Sequence, residues 1–328
     1  MSKVGERRTT AELRRGLRSF AEPTNARGFA TIAVDWLVIA SAVCFWRFVE
    51  NSTQSFPLRF GAWLIEIAVL ANRIRGLESL THEATHATLF RTRRWNVTLQ
   101  WLYALPMLHE VRAYRTEHIV HHWRLGQDSD PAQLFFARHG VNEFPRRAVW
   151  VMFIRPLLGY HTYMWFRDRA ESWLQIPQYR LPTALFWSIA SITAVLTHQL
   201  DWLLFHWFVA LNVVFPVMEF WSEVSDHAGV PPTRLGWCRN NLGVMHALFV
   251  HGHRDGYHTV HHLNPAVPGH RLAEAHRYLR KAAPPEMLLE SHGLLETFRQ
   301  MRLPVGRDPP PASTESDDIR LIHRENTW

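Results

Sequence analysis

Apolar positions are bunched along the chain rather than spread evenly. The first run covers residues 29–46 and is interrupted only by Asp35. The second begins at Phe60 and stays apolar to about Ala71. It then continues with helical spacing through Arg73, Arg75 and Glu78. The third and fourth runs cover 181–197 and 202–220, with the short link 198–201 between them. A bilayer core of roughly 30 Å needs about 20 residues of helix, fewer where flanking side chains snorkel. Four membrane-crossing helices are therefore predicted, the last two as a helical hairpin. Trp46, Trp63, Trp187 and Trp202 lie near the run ends, where an interfacial aromatic belt would place them.

Two shorter stretches predict something else. Residues 95–108 are too few to span and contain Pro106, which fits a re-entrant or interfacial helix. Residues 149–166 carry Arg155, Pro156 and His161 and predict a helix lying in the headgroup plane. Thr9 and Glu12 have capping-box spacing at the head of a basic surface helix running to Phe20. The predicted organisation is a basic segment over 1–27, a membrane domain over 28–303 and a disordered tail over 304–328, rich in Pro, Ser and acidic residues.

Charge orients these elements. All but two of the 36 basic residues are arginines, the exceptions being Lys3 and Lys281. Arginines crowd the segments before the first run, between the second and third, and after the fourth. The segments 50–58 and 198–201 carry none. By the positive-inside rule both termini face the cytoplasm, which predicts a multi-pass protein of the bacterial inner membrane. The net charge of +7 would also suit nucleic acid. Basic patches interleaved with aromatics are missing, however, so no nucleic-acid partner is expected. The cysteines, Cys44 and Cys238, exclude a disulfide framework and argue against a thiolate metal site.

The candidate chemistry lies in three histidine clusters. These are His82-Glu83-Ala84-Thr85-His86, His118-Ile119-Val120-His121-His122 and His258-Thr259-Val260-His261-His262. Spacings of i, i+3 and i+4 place each cluster on one helix face. All three fall on the side assigned to the cytoplasm. The first alone spells the zinc-protease signature, with His82 and His86 as ligands and Glu83 activating a water. An intramembrane metallopeptidase of that kind leaves the other six histidines without a role. A carboxylate-bridged di-iron bundle needs two Glu-x-x-His pairs, and only Glu83 with His86 supplies one. Two iron ions, each taking several neutral imidazoles and leaving a position open for oxygen, use all eight histidines.

The three clusters resemble the histidine boxes of the membrane fatty acid desaturase superfamily. So do their surroundings: Asp128-Ser129-Asp130-Pro131 after the second box, Asp226-His227-Ala228-Gly229 after the fourth run, and Leu263 to Pro268 after the third box. The resemblance covers residues 29–277. It implies an all-α polytopic membrane protein with a cytoplasmic helical cap holding a histidine-rich di-iron site, and it adds His227 as a ninth ligand. Many members carry a polar residue four positions before the last box; here that position is Arg254, a cation that accepts no hydrogen bond. His253 or His251 could stand in. Glu83, Glu117, Asp128, Asp130 and Asp226 are candidate partners for the second N–H of ligating imidazoles, as is His253.

The resemblance implies oxygen-dependent desaturation of an acyl chain, with dioxygen as co-substrate. Hydroxylation or ketolation of a lipid, carotenoid or specialised metabolite uses the same ligands. The chain has no Gly-x-Gly-x-x-Gly fingerprint and no fused redox module. Electrons are therefore expected from a separate ferredoxin or cytochrome with its reductase, docked on the basic face. A metal transporter would line its spans with histidines, whereas these lie beyond the span ends.

Overall fold

The computed structural model describes residues 9–303 except Pro145. The predicted tail over 304–328 lies outside the described residues, as do the first eight residues of the basic segment. The chain is built almost entirely from helices, with one two-residue parallel pairing of Asn240–Asn241 with Glu290–Ser291. All four long apolar runs fall inside helices: Asn25–Ser52, Phe56–Thr85, Pro177–Leu196 and Leu200–His227. The first and last are long and apolar enough to cross a membrane by length and composition.

Two of these helices dominate the site. Phe56–Thr85 starts with Pro57 in its first turn, where the missing N–H costs nothing. It runs 30 residues without a break and delivers the first histidine cluster at its C-terminal end. Leu200–His227 delivers His227 at its own C-terminal end. Charged groups buried among these helices find partners across helix boundaries at two places. Glu66 accepts from Trp202 Nε1 at 3.0 Å and lies 2.7 Å from His206 Nδ1. Asp35, which interrupts the first run, is fully buried between Arg73 at 3.0 Å and His253 at 2.7 Å. An unpaired charge in such surroundings costs several kcal/mol or more, so these pairs also fix helix register.

The segment 95–108 is not one helix, contrary to the expectation. It forms three short turns, Trp95–Thr98, Gln100–Leu102 and Leu105–Met107, and ends at Leu108 in the left-handed region. Tyr103, Ala104 and Met107 are fully buried within it. Irregular backbone survives burial only when its carbonyls are satisfied. Three indoles do this: Trp36 donates to Leu102, Trp187 to Leu105 and Trp207 to Pro106, at 2.8, 3.0 and 3.2 Å. Trp187 and Trp202 thus bond inward instead of forming a surface belt. The helix expected over 149–166 is broken as well. Gly159, at φ 74°, ends a short piece at Leu157, and a new helix runs Tyr160–Gln175.

A second layer covers the histidine-bearing ends. Thr10–Leu17 is capped by the Thr9–Glu12 box. It buries Leu13 and Leu17 completely against Val260, Leu272, Ala275 and Leu279. Two such leucines are worth roughly 1.5–3 kcal/mol each, so the amino-terminal helix helps clamp the third histidine cluster. Leu294–Met301 packs against the other edge, beside Phe220 and Val224.

Candidate metal centre

Each histidine cluster lies at or near a helix end, and the three ends converge. Phe56–Thr85 presents His82 and His86, Val111–Arg124 presents His118, His121 and His122, and His258–Leu263 presents His258, His261 and His262. The imidazoles sort into two groups. One holds His82, His86, His118, His122 and His261; the other holds His121, His227 and His262. His258 joins the second group, its Nε2 lying 3.0 Å from those of His227 and His262. Each group could hold a metal ion.

Distances in the first group carry geometric information. The Nε2 atoms of His82, His118, His122 and His261 form a closed ring with sides of 2.9, 3.0, 2.9 and 2.9 Å. A square of that side has its centre about 2.1 Å from every corner, the usual metal–imidazole distance. A regular tetrahedron at the same distance would hold the nitrogens ~3.4 Å apart. His86 Nε2 approaches His118 Nε2 at 2.9 Å. The donor set therefore fits an ion with more than four ligands better than a tetrahedral zinc.

The protonation pattern agrees for every ring member but His82, where burial is outweighed by the hydrogen bond and charge of Asp255 and the pKa is raised. Burial first, then the neighbouring imidazoles, holds His86, His118, His122, His261 and His262 well below the usual histidine range. Burial also pushes His258 down to about 4, against the opposing charge of Asp226. All are neutral near pH 7. With Nδ1 carrying the proton, the inward nitrogens are lone pairs that repel one another unless a cation lies between them.

Several outward nitrogens are held by specific partners. His121 Nδ1 donates to Asp130 at 2.8 Å. Asp130 is itself fixed by the N–H groups of Gly126 and Ala132, and caps the Pro131–Arg138 helix. His227 Nδ1 donates to the Trp237 carbonyl at 3.1 Å. The turn that supplies this carbonyl passes through Gly236 at φ 66°, where an added Cβ would meet His262 Cβ at 3.0 Å. Fully buried Arg239 caps the end of the Leu200–His227 helix through the carbonyls of Ser225 and Ala228. Asp226 lies 3.7 Å from His258 Nδ1, accepts from Asn241 at 2.7 Å, and meets His251 Nε2 at 3.0 Å.

Other expectations fail on geometry. Asp128 and Glu117 are exposed and bond to none of the nine histidines. Glu83 turns toward Gly269 and accepts its N–H at 3.0 Å. His253 is committed to Asp35, so it belongs to the helix framework and supports no ligand. His251 faces Asp226 and Ser225. Arg254 is exposed and donates to the His270 carbonyl, well away from the inward nitrogens.

The group that sequence reasoning missed is Asp255. Its Oδ1 lies 3.2 Å from His82 Nδ1 and its Oδ2 accepts from Arg75 at 2.7 Å. Although burial opposes it, the bond from His82 and the charge of Arg75 keep Asp255 well below the usual carboxylate range. Two left-handed residues, His253 at φ 51° and Arg254 at φ 70°, aim it inward. The loop can come this close because Gly252 meets Gly76: a Cβ on Gly252 would fall 2.9 Å from Gly76 Cα. The Asp255-Gly256 dipeptide was the available signal, since Asp-Gly marks a tight turn.

Comparison with known proteins agrees with this geometry. The model of the family described as fatty acid desaturase matches residues 56–292. The chain belongs to the fatty acid desaturase family. It is 28% identical over 279 residues to the dihydrorhizobitoxine desaturase of Bradyrhizobium elkanii, covering 78% of this chain and 76% of that protein. A desaturase-type oxidoreductase follows. The matched stretch contains all three histidine boxes, His227 and Asp255.

Proposed function

We propose that this protein is an oxygen-dependent desaturase of an aliphatic chain, working at two iron ions. His82, His86, His118, His122 and His261 would hold one ion; His121, His227, His258 and His262 would hold the other. The carrying observation is the ring of inward Nε2 atoms at 2.9–3.0 Å together with the second group beside it. Neutral nitrogen ligands in this number suit iron, and a site of this kind can leave a position open for oxygen. When bound, such a pair supplies the oxidising power, with dioxygen and two external electrons, to remove hydrogen from two adjacent carbons.

The chain's own residues do the remaining work. Asp255, Asp130 and the Trp237 carbonyl fix tautomer and ring orientation, which keeps lone pairs directed inward. Arg75 holds Asp255 through charge-assisted hydrogen bonding. The buried surroundings exclude water, and a confined substrate presents only one carbon pair to the centre. The family's name supports an acyl-type chain, whereas the Bradyrhizobium relative is named for dihydrorhizobitoxine, so the boxes alone leave the head group open.

Membrane embedding by the four long helices, with the site on the cytoplasmic face, is part of the same reading. The exposed apolar side chains of Leu37, Phe48, Ile65, Ile189, Ile192 and Phe205 support it. Electrons would arrive from an acidic ferredoxin or a cytochrome, matched to a chain of net charge +7.

The test is product analysis with isotopic oxygen. Purified protein, iron, a reductase–ferredoxin pair and ¹⁸O₂ should yield a new carbon–carbon double bond and no ¹⁸O in the organic product. A labelled alcohol or ketone would move the assignment to a hydroxylase or ketolase. Peptide cleavage by a zinc-loaded, oxygen-independent form would sink the reading altogether.

A further inference from the structure

A cavity of about 30 Å³ lies against both histidine groups, touching His82 and His118 of one and His121, His227 and His258 of the other. It takes about two water-sized groups. All thirteen of its lining residues carry a polar group, and none is aliphatic. Glu78 precedes His82 by four residues; Glu223 and Glu219 precede His227 by four and eight. These are one and two turns of helix, about 6 and 12 Å along the axes. Three carboxylates thus line the cavity just before the ligands on the two helices that carry them.

These carboxylates are not all used by the fold. Glu223 makes no hydrogen bond or ion pair among the described residues. Glu78 and Glu219 line the same cavity, and Glu219 makes no hydrogen bond or ion pair with a cationic group among the described residues. Arg75, 4% exposed, spends its terminal nitrogens on Asp255, Ser222 and Ser79 and leaves its Nε–H without an acceptor. Glu78, 5% exposed, has Oε2 3.1 Å from Arg75 Nη1 yet receives no hydrogen bond there. A methylene chain placed among these groups would desolvate them with nothing in return. A primary ammonium is the size of a water, brings three donors, and can bridge carboxylates that line one cavity.

Resting on the desaturase reading above, we infer that the substrate carries a primary ammonium, and that Glu219 and Glu223 receive it in this cavity. The ammonium anchors the chain in the cavity beside both histidine groups, and its position sets which carbons are presented for dehydrogenation. Glu219 and Glu223 are specificity-determining residues for that reaction.

The experiment is a titration of the iron-loaded, detergent-solubilised protein, read by near-infrared magnetic circular dichroism of its ferrous centre. The probes are n-butylamine, n-butanol and n-butyrate. The amine is expected to perturb the spectrum saturably, and the other two are not. Glu223→Gln and Glu219→Gln should retain two irons per chain while weakening the amine response about tenfold or more, the worth of one charge-assisted hydrogen bond. An equal response to butanol or butyrate overturns the inference. So does an amine response undiminished in both variants, which would place the amine directly on metal. Loss of iron from both variants also overturns it, because the carboxylates would then serve as counter-charge for the ions. Desaturation of a neutral acyl chain, undiminished in both variants, overturns it while leaving the desaturase reading intact.

Discussion

The two histidine groups differ less in their ligands than in what stands behind them. The four-histidine group draws hydrogen-bond support from two places, Asp130 on His121 and the Trp237 carbonyl on His227, while Asp226 stands 3.7 Å from a His258 Nδ1 that has no hydrogen-bond partner. The five-histidine group has a carboxylate on His82 alone, and that is Asp255; the Nδ1 of His86 is buried without a partner. Asp130 is held by two local backbone N–H groups within five residues. Asp255 is held by Arg75, 180 residues away in the chain, and by a loop forced into the left-handed region. More ligands therefore does not mean more support. The five-histidine group depends on long-range packing, and the four-histidine group on local turns.

That contrast can be broken from either side. The largest effect is expected for His261→Ala, since His261 Nε2 meets both His82 and His122 at 2.9 Å. Elemental analysis should show the first ion lost. Product formation should fall by more than the roughly 10–100-fold that follows loss of a supporting partner. Next comes Asp255→Asn, which should weaken metal retention in the first group about 10–100-fold under chelator challenge and leave the second group loaded. Chemical denaturation should also register a loss of up to about 3 kcal/mol, because buried Arg75 keeps only Glu78 as a charged partner. Asp130→Ala should do the reverse, releasing the second ion first, with a smaller stability cost of about 1 kcal/mol from the lost helix cap.

A subtler perturbation acts through the loop. Gly252→Ala places a methyl group 2.9 Å from Gly76 Cα, where backbone cannot yield. The displaced loop should carry Asp255 away from His82, cost about 1–3 kcal/mol, and loosen the first ion several-fold without touching the second. The smallest effect belongs to Arg254→Gln. This side chain is exposed and bonds only the His270 carbonyl, in the first turn of the Gly269–Ala282 helix. Stability should stay within about 0.5 kcal/mol of the parent, and metal content should be unchanged.

What the sequence disclosed follows the same division. The three boxes were legible because helical spacing is a local property, and Asp130 because it follows its box by eight residues. His227 needed the family resemblance, since nothing local distinguishes it; the structure places it by capping its helix end with Arg239. Asp255 and Arg75 were not legible. Their meeting depends on Gly76 and Gly252 letting two distant backbones touch, which no periodicity encodes. Asp128 was drawn in by proximity to its box and turned out to face solvent. The long helices were legible from apolar runs, but 95–108 was misread as one helix. There, composition was tuned to burial under three tryptophans instead of to helical continuity.

The most direct measurement is the number of iron ions per chain in the parent protein and in Asp255→Asn, counted after anaerobic loading and exhaustive dialysis. Two ions in the parent and one in the variant are expected. One ion in the parent, or equal loss of both from the variant, would contradict a centre built from two separately supported histidine groups.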